Sequence, residues 1–455
     1  MFRRVFVHAL AMWVCAALPA RARAQVESST RTSTRASDSP GAREEGPRLE
    51  LEGLELETAR PSAPAKGGAG PKEELEPDFF ASLSARAAGI VDRTTLGGYG
   101  EHSFSAGGGE ISTFQNNRYV LFVYSQISER ISTATEIEFE FGGSPMKKDG
   151  NLGFGEVLLE FAVVDFELWD WLVLRAGVIL VPFGSLNLRH DSPSWDLSDR
   201  PIAYTTVVPS TWFESGAGFL GTIELGMHQR LSYELYVVNG LDARIFDGLG
   251  LRAARGSHFS DNNHDKAFVG RLAYSPLLGL EIGLSGYTGE YDLAGNRINM
   301  GNLDVTWRSG KLELLGEVVL AQIDPGFVEG FADPTANTRE AVPEGMRGFY
   351  AQANYHFIVA PLWEVFPDWL QEATFTAVLR YEGKDSNTGY QSASGDRRRL
   401  TFGLNFRPLE AYVLKTDYQL ESHGIDGKRS APDLWQGEFW EDVTFRFAAS
   451  IAFLF

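Results

Sequence analysis

The chain has 455 residues, with 41 Lys and Arg against 60 Asp and Glu, a formal net charge of −19. So acidic a chain lacks the basic stripe that neutralises phosphates along a duplex, which excludes nucleic acid as a partner. Beyond the first 24 residues there is no cysteine and no apolar run of about 18 residues, so neither disulfides nor spanning helices supply the architecture.

The N-terminus reads as an export signal over residues 1–24. Arg3 and Arg4 precede an apolar stretch from Val5 to Pro19, and Ala22-Arg23-Ala24 is a small-x-small cleavage site ahead of Gln25. Met12-Trp13-Val14 before Cys15 lacks the small residues of a lipidation site. Residues 25–78 are rich in Ser, Thr, Pro, Gly, Glu and Arg and are predicted to form a disordered periplasmic tether, because so few apolar groups cannot offset the entropy of ordering. Residues 79–93, beginning Phe79-Phe80 with Leu83 and Ala87 at helical spacing, are predicted as a short helix or connector.

From Thr94 the period changes to two. Alternating segments lie near 94–105, 116–127, 131–142, 153–166, 171–181, 214–225, 230–239, 266–276, 280–292, 299–308, 311–323, 346–359, 371–382, 398–407, 410–421 and 443–455. The predicted class is all-β: a transmembrane antiparallel β-barrel of about 16 strands over 94–455 in a bacterial outer membrane, with outer-membrane lipid on its apolar face. The connections support it, since short links such as Ser128-Glu129-Arg130, Leu277–Gly279 and Ser309-Gly310 alternate with long ones such as 182–213, 240–265, 324–345, 383–397 and 422–442. One inner link, 360–370, is longer and carries Trp363, Phe366 and Trp369, suited to the headgroup level. In the last strand Phe445, Phe447, Ala449, Ile451, Phe453 and Phe455 share one face, and Thr444, Arg446 and Ser450 the other. A terminal Phe on such a strand resembles the signal read by the barrel assembly machinery, a predicted partner.

If apolar residues face lipid, their neighbours face water. Outward Ile137, Phe139 and Phe141 send Glu136, Glu138 and Glu140 inward, joined by Glu156 and Glu160 on the next strand. The late strands send Arg380, Arg399, Arg407, Lys415 and Arg446 inward. An acidic wall opposite a basic one is therefore expected, orienting small polar or ionic solutes that pass by diffusion. The third outer loop, 182–213, is the longest connection and is expected to fold inward as a constriction, because about 16 strands enclose a lumen too wide to select. It carries Arg189, His190, Asp191, Asp196, Asp199 and Arg200. No cofactor and no metal ion are expected. The alternatives are a barrel enzyme and a surface-binding adhesin or receptor barrel; the cluster that most resembles chemistry is His258 to Asp265, also explained as a polar loop.

The run Val181-Pro182-Phe183-Gly184, continuing to Pro209-Ser210-Thr211-Trp212-Phe213-Glu214-Ser215-Gly216, with Arg380-Tyr381-Glu382 late in the chain, resembles the phosphate-selective porin O and P family. The resemblance implies a 16-stranded outer-membrane channel, a homotrimer, inward-folded loops and passage of anions such as phosphate. An acidic half of the lumen lowers the local concentration of phosphate, so a weakly selective pore is expected here.

Overall fold

The computed structural model describes residues 93–455 apart from 108–109, 149–150, 246–249, 256–260, 330–338, 360–366, 368–369, 371–372, 390–394 and 424–442. The expected signal (1–24), the tether (25–78) and all but the last residue of the connector (79–93) lie outside the described residues, as do Trp363, Phe366, Trp369 and His258.

Among the described residues eighteen strands follow one another: β1 (Thr94–Gly107), β2 (Glu110–Gln126), β3 (Ile131–Lys148), β4 (Asn151–Trp169), β5 (Leu172–Leu180), β6 (Phe213–Glu224), β7 (Arg230–Val238), β8 (Ala267–Leu277), β9 (Leu280–Glu290), β10 (Arg297–Ser309), β11 (Leu312–Ile323), β12 (Phe327–Glu329), β13 (Arg339–Ala341), β14 (Gly345–Phe357), β15 (Thr374–Asp385), β16 (Asp396–Leu409), β17 (Tyr412–His423) and β18 (Val443–Leu454). Sixteen of them close a barrel in chain order, and β12 with β13 forms a separate ribbon within the connection from β11 to β14. Every paired strand runs antiparallel to its neighbour, and β18 closes on β1 with Tyr99 opposite Leu454 and Gly100 opposite Phe453. A closed sheet leaves no unpaired edge, the condition for backbone to cross hydrocarbon.

Alternation places the side chains as expected. On β16 Phe402 and Leu404 are about half exposed on the outer surface, while Thr401 and Asn405 on either side of them are fully buried within. Several boundaries differ from the sequence reading, most of all at the outer ends of β2 and β3. β2 starts six residues earlier than 116, and β3 and β4 meet at residues 148 and 151 instead of stopping at 142 and 153. Beyond the lipid band both faces of a strand are wet, so the ladder continues through polar residues such as Thr113, Gln115 and Asn116 where no apolar period marks it.

The interior is not uniformly polar. Val163, Ile179, Val181, Phe183, Tyr204, Trp212, Tyr236, Val238, Tyr287, Ile298, Met300, Val319, Ile323 and Tyr350 belong to one buried apolar cluster. Segment 182–212 and the connection 239–266 contribute Val207, Val208, Leu241, Ile245 and Leu251 to it. These strands show the reason in their sequence: Val318-Val319-Leu320-Ala321 on β11 is apolar at both parities, the signature of a strand dry on both faces.

Candidate functional site in the barrel interior

The local sequence closes segment 182–212 at its base. Gly184 has φ 74, and a Cβ there would stand 2.0 Å from the Tyr204 hydroxyl, so glycine alone fits. Asn187 clasps the two ends: its Nδ2 donates to Val181 O at 2.8 Å and Trp212 O at 3.1 Å, and its Oδ1 accepts from Trp212 N at 2.9 Å. Trp212 is fully buried between Phe183 and Tyr287, with ring centroids 5.8 and 5.0 Å away, and its indole N–H donates to Glu214 at 3.2 Å. Gly216 and Gly218 on β6 lie against β7, where a Cβ would come 2.3 Å from Val237 O or 2.0 Å from Leu235 O.

From that base the segment is held by side chains of distant strands. Glu317 on β11 accepts from Leu186 N at 2.9 Å, from Tyr350 Oη at 2.8 Å and from Tyr204 Oη. Glu382 on β15 accepts from Ile202 N at 2.6 Å, and Asp417 on β17 from Ser198 N at 2.5 Å. Lys384 donates to Thr206 Oγ1 at 2.9 Å and Lys415 to Ser192 O at 2.6 Å.

The five expected basic residues all take part in this fastening or pair with strand acids. Arg446 binds Asp199, whose Oδ2 also accepts from Gln419 at 2.7 Å and lies 4.0 Å from Arg399. Arg399 pairs with Glu421 at 2.5 Å, and Arg380 with Glu382 at 3.1 Å while donating to Asp199 O at 3.0 Å. Arg407 lies 3.7 Å from Asp196, which also accepts from Asn354 at 2.7 Å and Asn405 at 3.0 Å. Of the acidic set, Glu136, Glu138 and Glu160 are buried, while Glu140 is half-buried and in register with both Arg118 and the exposed Glu156. Barrel order modifies the picture of opposed walls: β18 lies three strands from β3, with β1 and β2 between, while β15 and β4 are seven strands apart, so the two sets flank β1 and β2 over half the barrel. Chain ends far apart in sequence become neighbours when a sheet closes.

Among the expected loop residues, Arg189 donates to Thr306 at 3.1 Å and Ser185 at 2.5 Å, and His190 sits 3.1 Å from Glu160. Asp191 is half-buried, its Oδ1 3.9 Å from His190 Nε2. Arg200 lies over the Trp195 ring at 5.0 Å and donates to Ser210 at 3.1 Å, yet its Nε and Nη2 are buried with no hydrogen-bond partner among the described residues. Near it stand two arginines of the next outer connection, Arg252 and Arg255, the latter anchored on Thr211 O and the Phe213 ring. Burial, then repulsion from Arg118 and Arg252, lowers the Arg200 guanidinium to about 10. Burial and Arg255 lower Arg252 to about 10, and burial and Arg200 lower Arg255. Groups so affected gain from any anion that approaches.

The profile of the phosphate-selective porin O and P family matches residues 83–313, just over half of the chain. The chain belongs to that family. An uncharacterized protein of Aquifex aeolicus (strain VF5) is 26% identical over 351 residues, spanning 72% of this chain and 76% of that protein. In solved structures the porin is similar to the anion-selective porin from Comamonas acidovorans (11% identity, 80% of this chain and 99% of that one, TM-score 0.47). It is also similar to the outer membrane channel DcaP of Acinetobacter baumannii (11% identity, 80% and 97%, TM-score 0.47). With the closed 16-strand barrel, family membership makes this an outer-membrane channel for small solutes, and a channel in preference to an enzyme.

The described part of the loop considered for chemistry, residues 261–265, is tied down by ordinary loop bonds. Asn262 and Asn263 donate to Tyr291 O and Glu290 O at 2.6 and 2.8 Å, Asp265 accepts from Glu290 N at 3.1 Å, and Asp261 pairs with Lys266 at 2.6 Å. Sequence reasoning missed Arg118, Glu317, Asp417, Arg252 and Arg255. Parity beside outward Tyr119, Val318 and Tyr418 marks the first three as inward; the last two sit in a connection with no period to follow.

Proposed function

We propose that the porin is a passive channel whose lumen is narrowed by segment 182–212, and that small anions, phosphate among them, are preferred over cations at Arg200, Arg252 and Arg255. The observation that carries this reading is the contrast in pairing. Arg380, Arg399, Arg407, Lys415 and Arg446 of β15–β18 are engaged by acids or carbonyls, whereas Arg200 has two buried nitrogens without a described partner and shares its surroundings with two further guanidinium groups. The acids of β3 and β4 limit the preference, so it is weak at high salt, where screening shortens the reach of the field to a few ångströms.

Reversal potential in a salt gradient tests it. Wild type is expected to favour anions modestly, and Arg200→Gln with Arg252→Gln to move the reversal potential to zero or to the cation side. Unchanged selectivity in the double variant would refute the assignment, and block of chloride current by low phosphate would place phosphate at the same groups. Cross-linking in intact outer membranes tests the homotrimer.

A further inference from the structure

The channel reading gives no separate role to one buried cluster of polar side chains. β3, β4 and segment 182–212 bring together Glu136, Glu160 and His190, exposed by only 1%, 0% and 2%. One ligand atom from each lies within 4.8 Å of the others. The convergence is built in by a bulge: opposite β3 residues Glu136 and Ile137, the register of β4 skips from Phe161 to Leu159, so the extra residue, Glu160, is turned toward Glu136.

The imidazole is oriented as a ligand. Its Nδ1 lies 3.0 Å from Asn187 O, and a carbonyl can only accept, so Nδ1 carries the hydrogen. Nε2 then faces Glu160 Oε2 at 3.1 Å and Glu136 Oε1 at 3.9 Å. A neutral imidazole would direct a lone pair at carboxylate oxygens there, a repulsive contact unless positive charge stands among the three. The Oε1 atoms of Glu136 and Glu160 are buried and accept no hydrogen bond from a described residue. The nearby guanidinium is committed elsewhere, since Arg118 lies 3.0 Å from Glu138 and 3.4 Å from Glu101. Buried carboxylates without such a partner are costly, and a cation removes the cost.

We propose that Glu136, Glu160 and His190 bind one divalent first-row transition-metal ion, Zn2+ before others, which fastens segment 182–212 to β3 and β4. Two carboxylates cancel the charge of the ion, and donors this close can contract onto bonds of about 2.0–2.2 Å. The imidazole disfavours Mg2+ and Ca2+, which take oxygen shells. The Nδ1 bond to a backbone carbonyl is the outer support that holds a metal-binding histidine in one tautomer.

Full-length porin folded in detergent, stripped with a chelator and titrated calorimetrically with Zn2+ should take up one ion per chain, with Mg2+ failing to compete. His190→Ala and Glu160→Gln should each weaken binding at least about tenfold. Heat-modifiability on gels reports whether each variant is folded. Should both fail to fold, X-ray absorption at the zinc edge of the wild type decides, with one imidazole in the shell expected. Absence of stoichiometric Zn2+ uptake by folded wild type, equal uptake by folded His190→Ala, or a shell without imidazole would overturn the assignment. None of these readouts depends on ion selectivity, so they stand or fall apart from the anion reading.

Discussion

Asp199 illustrates how single residues hold the interior together. Its carboxylate meets Arg446, Gln419 and Arg399 from three strands. Burial alone would raise its pKa, but Arg446 and Arg399 outweigh that and hold it below the usual carboxylate range. A carboxyl depressed on folding lends stability that is complete above its unfolded value of about 3.9 and is lost as pH falls through the lower folded value. Asp191 and Asp196 behave oppositely. Burial raises both, so they take up protons first on acidification, and the folded state gains by it. Wild-type current in planar bilayers should therefore stay quiet through mildly acid pH and become noisy only below about pH 4. Asp199→Asn should be noisy at neutral pH, and a variant as quiet as wild type would show that this carboxylate does not hold the segment. Asn187 acts in the same way at the base. Asn187→Ala leaves the buried Trp212 N without its partner, a loss worth about 1–3 kcal/mol, and removes one of the two donors that Val181 O and Trp212 O each have, so the temperature of heat modification should fall.

At the scale of elements, strands were readable and the matter inside them was not. Period two locates all sixteen barrel strands because each has one face on lipid, and it identifies inward residues as far apart as Glu136 and Arg446. It fails where the physical contrast vanishes. The outer end of β2 is wet on both faces, and the outer halves of β5, β7 and β11 are apolar on both. Segment 182–212 could be singled out by length and charge, but its seat is assembled from Glu317, Glu382 and Asp417, more than a hundred residues downstream. Arg252 and Arg255 were illegible for the same reason: their neighbours are chosen by tertiary contact alone. Removing residues 187–204 should raise single-channel conductance severalfold if this segment narrows the passage. Unchanged conductance in a folded deletion would mean that it lies beside the path.

For the whole molecule the seam between β1 and β18 is decisive. Phe455 extends the ladder past the last strand, donating from its N to Gly98 O at 3.0 Å and accepting from Gly98 N at 3.1 Å, and its ring stacks on Tyr119 at 5.0 Å. Deleting Phe455 removes both bonds and the ring that covers Gly98, so the folded, heat-modifiable form in outer membranes should decrease. A deletion that assembles as well as wild type would show that closure does not need the terminal aromatic.

The buried apolar cluster inside the barrel carries a consequence for the order of assembly. Burial of apolar surface is driven by water, and hydrocarbon outside the barrel supplies no such drive. Once the strands are inserted, the lumen is where that force still acts, and it acts there only after the wall is continuous enough to hold water. The seat for segment 182–212 spans strands from β4 to β18, so it does not exist until the last strand has joined. If segment 182–212 narrows the lumen, each newly made copy passes through a moment in which its cylinder is closed and its throat is still wide, and how quickly that face dries sets how long the membrane leaks.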